Sequence, residues 1–295
     1  MKAIPCPICN SLESSPYLSV QDHTVSGEVF SLVKCVSCGF LFTANPPAAD
    51  KIGNYYQSDA YISHTDSHDG MFNKIYQLIR NFTLVSKRKL VEEYSGIRKG
   101  KMLDYGCGTG AFLREMKTSG WDTLGMEPDP TARQRAKDLT GSQIEDPSAL
   151  TNTVEHSLDA ITLWHVLEHV HDLDVVLTRF YKILNDNGVL LIAVPNHTSH
   201  DAQHYGVHWA AYDVPRHLYH FSPESISQLL LKHGFKRVGL KPMWFDAFYV
   251  SMLSEQYRNG KMRLVPAVLT GLISNIKALL SPGTCSSQIY IFRKK

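Results

Sequence analysis

Six histidines fall within one stretch, "HTSHDAQHYGVHWAAYDVPRHLYHF": His197, His200, His204, His208, His217 and His220. Imidazole titrates near neutrality, so such a run can supply a general base, and its neutral form ligates metals. His200, His204 and His208 recur every four residues, which on a helix gives them one face, and three imidazoles can hold zinc or iron. Gly206 interrupts that run, and Asp201 and Asp213 are the only carboxylates near it, so loop and packing residues are the competing reading. "DVPRHLYHF" reads differently, because Pro215 fixes an extended approach and Arg216, His217, Tyr219 and His220 follow in a connection. His217 is the first candidate for a catalytic base and His220 the second; the alternative is that both pin the loop through hydrogen bonds. Trp209, Tyr212 and Arg216, with Tyr56 and Tyr61 from "NYYQSDAYISH", are candidate contacts for an acceptor.

A second constellation is made of cysteine. "CPIC" (Cys6, Cys9) and "CVSC" (Cys35, Cys38) are two knuckles, and two such turns complete a tetrahedral shell of four sulfurs around a structural zinc ion. The shell leaves no open coordination position, so the metal substitutes for a core that so short a segment could scarcely build. Gly39 suits a positive φ after the second pair, and Phe40 to Phe42 can pack beneath it.

Elements must position these groups. Adjacent prolines in "NPPAAD" mark a linker, and apolar residues at helical spacing predict a helix from about Met71 to Tyr94. From residue 101 short apolar strands alternate with helices: "KMLDY", "WDTLGME", "LDAITLWHV" and "VLLIAVPN" are strands, and helices begin at Pro130, near Leu173 and after the N-cap Ser222. That alternation predicts an α/β, doubly wound, mostly parallel sheet with helices on both faces. Phe235 to Leu240 and Gln288 to Phe292 are the last strand candidates, and between them Val265, Val268, Leu269, Leu272, Ile273, Ile276, Leu279 and Leu280 form an apolar stripe. The stripe is expected to pack against the domain or a second copy, with contact to a membrane surface or lipid-like acceptor as the alternative that Lys261, Arg263 and Lys277 keep open.

Composition excludes several classes. The chain of 295 residues is 43% apolar, which supports a globular core. Thirty basic against 28 acidic side chains leave a formal charge of +2, with no block of like charge to mark a nucleic-acid face. "MKAIPCPICN" has no apolar run after its lysine, and no stretch reaches the roughly 18 apolar residues of a membrane span, so a cytoplasmic, reducing location is expected.

The turn after the strand at 101 is rich in glycine. Gly106, Gly108 and Ala111 satisfy G-x-G-x-x-G/A, while Gly106, Gly108 and Gly110 satisfy the G-x-G-x-G of S-adenosylmethionine enzymes. Asp104 separates the two, because a carboxylate at the mouth repels a pyrophosphate and suits a ligand bearing an ammonium and a sulfonium. Glu127, ending the next strand, can accept both hydroxyls of a ribose in either case.

"LDYGCGTG", "GMEPD" and "LDAITLWHVLEHVHD", in that order, resemble the cofactor motifs of class I S-adenosylmethionine-dependent methyltransferases over about residues 101 to 245. "LEHV" resembles the ubiquinone-biosynthesis O-methyltransferases, and the cysteine knuckles ahead of such a core resemble the deoxysugar C-methyltransferases. The resemblance implies a Rossmann-like sheet of seven strands with the last antiparallel, S-adenosylmethionine as cofactor and S-adenosylhomocysteine as product. It implies Asp104, Gly106, Gly108 and Gly110 at the methionyl end, Glu127 and Pro128 at the ribose, Glu145 or Asp146 at the adenine, and His165 beside the methionine carboxylate. In the ubiquinone-type enzymes a carboxylate precedes the Glu-His pair by three residues; His165 holds that place here, which argues against Glu168 and His169 as metal ligands.

The expected organisation is a zinc ribbon over 1–44, a linker and helical cap over 45–100, and a methyltransferase domain over 101–295 with a helical insertion at about 246–282. The expected activity is methyl transfer to a hydroxyl or carbon of a small sugar, lipid or quinone-like acceptor, assisted by a histidine, in a monomer or homodimer. Two other classes compete: an RNA methyltransferase gripping its substrate through the ribbon, where Lys34 is the only lysine or arginine between Cys6 and Cys38, and a cofactor-binding protein without catalysis.

Overall fold

The computed structural model describes residues 4–56 and 71–295; Tyr61 lies outside the described residues. The knuckles bracket an antiparallel sheet of Ser14–Gln21 (β1), Val29–Cys35 (β2) and Leu41–Thr43 (β3). A long helix, Met71–Ser95 (α1), leads into the alternating region. There Lys101–Tyr105 (β4), Ala111–Thr118 (α2), Asp122–Met126 (β5), Pro130–Thr140 (α3), Gln143–Glu145 (β6), Leu158–Trp164 (β7), Leu173–Ile183 (α4) and Leu184–Pro195 (β8) follow in order. His200–Tyr205 (α5), Tyr219–His220 (β9), Pro223–Lys232 (α6) and Phe235–Pro242 (β10) come next, then Asp246–Asn259 (α7), Leu264–Leu280 (α8) and Ser287–Lys294 (β11).

The main sheet has seven strands in the order β10-β11-β8-β7-β4-β5-β6. β4 to β8 are parallel neighbours, and β11 runs antiparallel to both β8 and β10, as the resemblance implies. β8 is buried from Gly188 through Pro195, the signature of a parallel strand covered on both faces. Local chemistry sets the helix starts: Asp129 accepts from the Ala132 amide (2.7 Å) ahead of Pro130, and Ser222 forms a capping box with Ser225.

The N-terminal sheet is not a separate unit. Its fourth strand is β9, paired antiparallel with β3 through Leu41↔His220 and Phe42↔Tyr219. Cys6, Cys35, Phe40 and Phe42 belong to one apolar cluster with Leu163, Phe180, Phe221 and Tyr290 of the main domain. A boundary at residue 44 therefore cuts through a shared core: the segment borrows apolar surface from its neighbour.

α7 and α8 lie between β10 and β11, and of the two places expected for the apolar stripe of α8, the domain or a second copy, the domain is ruled out. α8 buries Ala267, Thr270, Gly271, Ser274 and Ala278 and turns Val265, Val268, Leu272, Ile276, Leu279 and Leu280 outward. A Cβ on Gly271 would lie 2.7 Å from Phe248, so only the small stripe permits the approach to α7.

Candidate functional site

The carboxyl ends of β4, β5 and β7 meet at the glycine turn, where ligands bind in parallel sheets. Gly106, Gly108 and Gly110 have φ of 77°, 54° and 82°, values that side-chain-bearing residues avoid. A Cβ on Gly106 would lie 2.4 Å from Val166, so glycine brings the β4 turn against the segment after β7; a Cβ on Gly108 would meet no atom within 4 Å. Gly106→Ala should therefore destabilise the fold by about 2 kcal/mol or more, read in a urea melt, whereas an unchanged midpoint would show that the turn adapts.

Two carboxylates frame this turn. Asp104 is 2% exposed and accepts from the Thr162 hydroxyl at 2.7 Å, its register partner on β7. Burial pushes its carboxyl up to about 7, against the Thr162 hydrogen bond and the charge of Lys87, while Glu127 adds to the rise. Glu127 accepts from the Gly108 amide (2.8 Å) and the Asp129 amide (3.0 Å), which fixes its orientation after β5; burial raises its pKa. Pro128 follows it on the same turn, ahead of the cap of α3. Lys87 of α1 places Nζ 4.3 Å from the centre of the Trp164 ring, and burial lowers its pKa against Asp246 and Asp104. Beyond β6, Asp146 accepts from Arg133 (2.8 Å) and from Ser148, so the candidate adenine contact is a salt-bridged, half-exposed carboxylate. The carboxylates and the open Gly108 position fit a cationic nucleoside ligand.

Next to Val166 lies a cluster of imidazoles and one buried carboxylate. His165 has a positive φ of 58°, with Nε2 3.0 Å from Asp246 and Nδ1 3.5 Å from Glu168. Burial opposes its charge, but the two carboxylates outweigh that and push it up to about 9. Glu168 is 1% exposed, and among the described residues its oxygens have no hydrogen-bond partner beyond the 3.5 Å contact with His165; burial raises its pKa, yet His165 and the charges of His217 and His169 bring it down overall.

His217 reaches this cluster because the Leu218 amide donates to the Glu168 carbonyl (2.8 Å). Its Nδ1 is 2.9 Å from the Ala211 carbonyl and donates to it, while its Nε2 is 3.9 Å from the Asp213 carboxylate. His169 stands 4.6 Å away ring to ring, with Nδ1 3.0 Å from the Arg216 carbonyl and 3.0 Å from the Tyr56 hydroxyl. Burial and the charge of His217 push His169 down to about 4. Glu168, His169 and His217 thus bring three ligand atoms within 4.8 Å of one another.

The remaining candidates are placed differently from the sequence expectation. Arg216 is buried, donating to Asp213, Asp22, Thr24 and the Tyr55 carbonyl, so it ties the loop to the N-terminal sheet. Trp209 and Tyr212 are 2% exposed core residues rather than walls of an open pocket; the Trp209 indole donates to Asp201 and its ring packs edge-on against Tyr212. His220 sits inside the junction of the two sheets with Nε2 3.2 Å from the Thr43 hydroxyl, and burial lowers its pKa far below the usual value. His200 and His204 are on α5, whereas His208 lies 6.1 Å from His23, so the three-histidine face does not converge. Thr162, Lys87 and Asp246 were missed by sequence reasoning; the alternation of β7 could have found Thr162, but Lys87 and Asp246 arrive from distant elements without a local signal.

The four knuckle sulfurs lie within 4.8 Å of one another, with Cys6–Cys38 and Cys9–Cys35 each at 3.5 Å. Sulfurs around a tetrahedral zinc lie about 3.8 Å apart and disulfide sulfurs about 2.05 Å, so the set fits an ion and not a bridge. Burial raises the Cys35 thiol, but the Cys38 amide and the Cys9 sulfur outweigh it and bring it to about 7.

Residues 76–239 match the family model described as a methyltransferase domain. A ubiquinone biosynthesis O-methyltransferase from Azorhizobium caulinodans is 23% identical over 158 residues, 50% of this chain and 62% of that protein. The chain spans about three fifths of the length of the first curated relatives it matches. Among solved structures, an S-adenosylmethionine-dependent methyltransferase from Archaeoglobus fulgidus aligns with a TM-score of 0.51 and 19% identity over 76% of this chain and all of that one. Phosphoethanolamine N-methyltransferase 2 from Haemonchus contortus aligns at 0.53 and 15% identity over 86% of this chain and 61% of that one. At these identities the structures establish the fold.

Proposed function

We propose that this chain, which belongs to the methyltransferase-domain family, transfers the methyl group of S-adenosylmethionine to a hydroxyl or acidic carbon of a small sugar, lipid or quinone-like acceptor. The observation that carries this reading is the pair of buried carboxylates, Asp104 and Glu127, at the glycine turn. Asp104 would meet the methionyl ammonium and Glu127 the ribose hydroxyls, with Lys87 near enough in charge to favour the methionyl carboxylate. The sulfonium is an activated methyl donor when bound; the protein's own work is to hold acceptor and cofactor in line, which can contribute about 7 to 11 kcal/mol. Calorimetry with S-adenosylmethionine and S-adenosylhomocysteine tests the cofactor, and absence of binding to either ends the proposal.

His217 is the base in this reading. Its Nδ1–H is held by the Ala211 carbonyl, which orients Nε2 as the acceptor of the substrate's proton, and Glu168 stabilises the imidazolium that results. With His220 locked against Thr43, the base role rests on His217 alone. His217→Gln should lower transfer of label from methyl-tritiated S-adenosylmethionine into a cell extract by about 10² or more, with cofactor affinity unchanged. Equal labelling by the variant would remove the base from the mechanism.

A second reading is favoured by the Glu168 oxygens, which beyond the His165 contact have no hydrogen bonds among the described residues, and by two imidazoles whose Nδ1–H groups are fixed on carbonyls. Glu168, His169 and His217 would then hold a divalent cation that binds the acceptor. Manganese bound by the zinc-loaded protein, visible by paramagnetic resonance and lost in Glu168→Gln, would decide for it.

A further inference from the structure

We infer that the outward face of α8 seats on an anionic lipid surface, and, resting on the proposed methyl transfer, that the acceptor is an amphiphile drawn from that surface. α8 is inverted relative to an ordinary packed helix: its small residues are inside and its large apolar residues are outside, with Val265 72%, Leu279 68% and Leu280 86% exposed. At 17 residues it is shorter than a bilayer span, and among the described residues no helix is long and apolar enough to cross a membrane, so α8 can lie in the interface plane and not through it.

Charge selects the occupant. From Gln256 to the last residue the sequence holds no Asp or Glu, and Arg258, Lys261, Arg263 and Lys277 are exposed around α8. In a twofold pairing with a second copy these cations would face each other with no acid from residues 256–295 to neutralise them, whereas anionic headgroups complement them. Trp244, Phe245 and Tyr249 supply exposed aromatic rings of the kind that settle at headgroup depth, and Trp244 is tied to α8 by Asn275 donating to its carbonyl (2.8 Å).

The face also leads to the candidate site. Asp246 directly follows Trp244 and Phe245, and its carboxylate is 3.0 Å from His165 Nε2, beside Glu168. The aromatic rim and the imidazole cluster are therefore neighbours, so a chain-bearing acceptor could keep its tail in lipid and present its head to His217.

Vesicle flotation of the full zinc-loaded chain tests this. Binding is expected to vesicles of equimolar phosphatidylcholine and phosphatidylglycerol, and at least about tenfold less to phosphatidylcholine alone. The double variants Leu272→Glu/Ile276→Glu and Lys261→Glu/Arg263→Glu should each lose about tenfold or more of the anionic binding, with melting temperature and S-adenosylmethionine affinity unchanged because these side chains are exposed. No flotation with either vesicle would overturn the inference. So would a wild-type dimer in sedimentation velocity that Leu272→Glu/Ile276→Glu converts to monomer, since a second copy would then cover the face. S-adenosylmethionine calorimetry on the same samples separates the claims: a chain that binds cofactor but not vesicles loses the lipid surface, and one that binds vesicles but not cofactor loses the methyltransferase reading.

Discussion

Asp104→Asn is expected to weaken S-adenosylmethionine binding about 10- to 100-fold, the value of a charge-assisted hydrogen bond to an ammonium in a buried site. The amide keeps an acceptor for the Thr162 hydroxyl, so the variant removes charge while preserving the contact across β4 and β7. pH supplies an independent readout. Because the Asp104 carboxyl is pushed up to about 7, it is ionised above that pH and protonated below it in the free protein. Cofactor affinity should thus be level above pH 7 and fall toward about tenfold per unit below it, with protons released on binding in acid. Stability runs the other way: a carboxyl whose folded pKa is raised from an unfolded value of about 3.9 costs stability above pH 7, and that cost is relieved as pH falls through 7. Asp104→Asn should accordingly melt higher than the parent at pH 8 without cofactor. Calorimetry from pH 5.5 to 8.5, which is about three units around the titration, checks both signs. An asparagine variant that binds as tightly as the parent would place the ammonium elsewhere.

Removing the metal from the four cysteines should cost more stability than Gly106→Ala does. Structural zinc sites couple ligand binding to folding with about 10 to 16 kcal/mol in isolated peptides. In this chain the loss spreads, because Phe40 and Phe42 share a cluster with Leu163, Phe180 and Phe221, and β3 pairs with β9 next to His217. Chelation, or Cys35→Ser, should lower the melting temperature by about 10 °C or more, which corresponds to several kcal/mol in a chain of this size. It should also depress methyl transfer far more than cofactor affinity, since the glycine turn stands on β4 and β5 while His217 hangs from the junction of the two sheets. Metal analysis finding no zinc at one equivalent per chain, or a melt indifferent to chelators, would remove the metal from the account.

The glycine turn, its two carboxylates and the cysteine knuckles were legible because each is short-range chemistry. Positive φ at Gly106, Gly108 and Gly110, the cap at Asp129 and the bite of Cys6 with Cys9 depend on a few neighbouring residues. The alternation of strand and helix made the parallel sheet legible the same way, since a buried parallel strand such as β8 announces itself as an apolar run.

Tertiary structure alone decided which histidines and aromatics gather into a cluster and which are packed away. His217 meets Glu168 and His169 through one backbone hydrogen bond across the fold, while Trp209, Tyr212 and Arg216, close to His217 in sequence, are consumed by packing and by Asp22. The same division holds for α8: periodicity groups Val265, Leu272 and Ile276 on one face, but it cannot say which face turns inward. That choice came from α7, whose Phe248 leaves room for no more than glycine at 271, and from the buried Asp201 that accepts the Ser274 hydroxyl at 2.7 Å. A side chain's neighbours along the chain fix its local conformation; whether it meets water, core or ligand is set by elements that the sequence brings from far away.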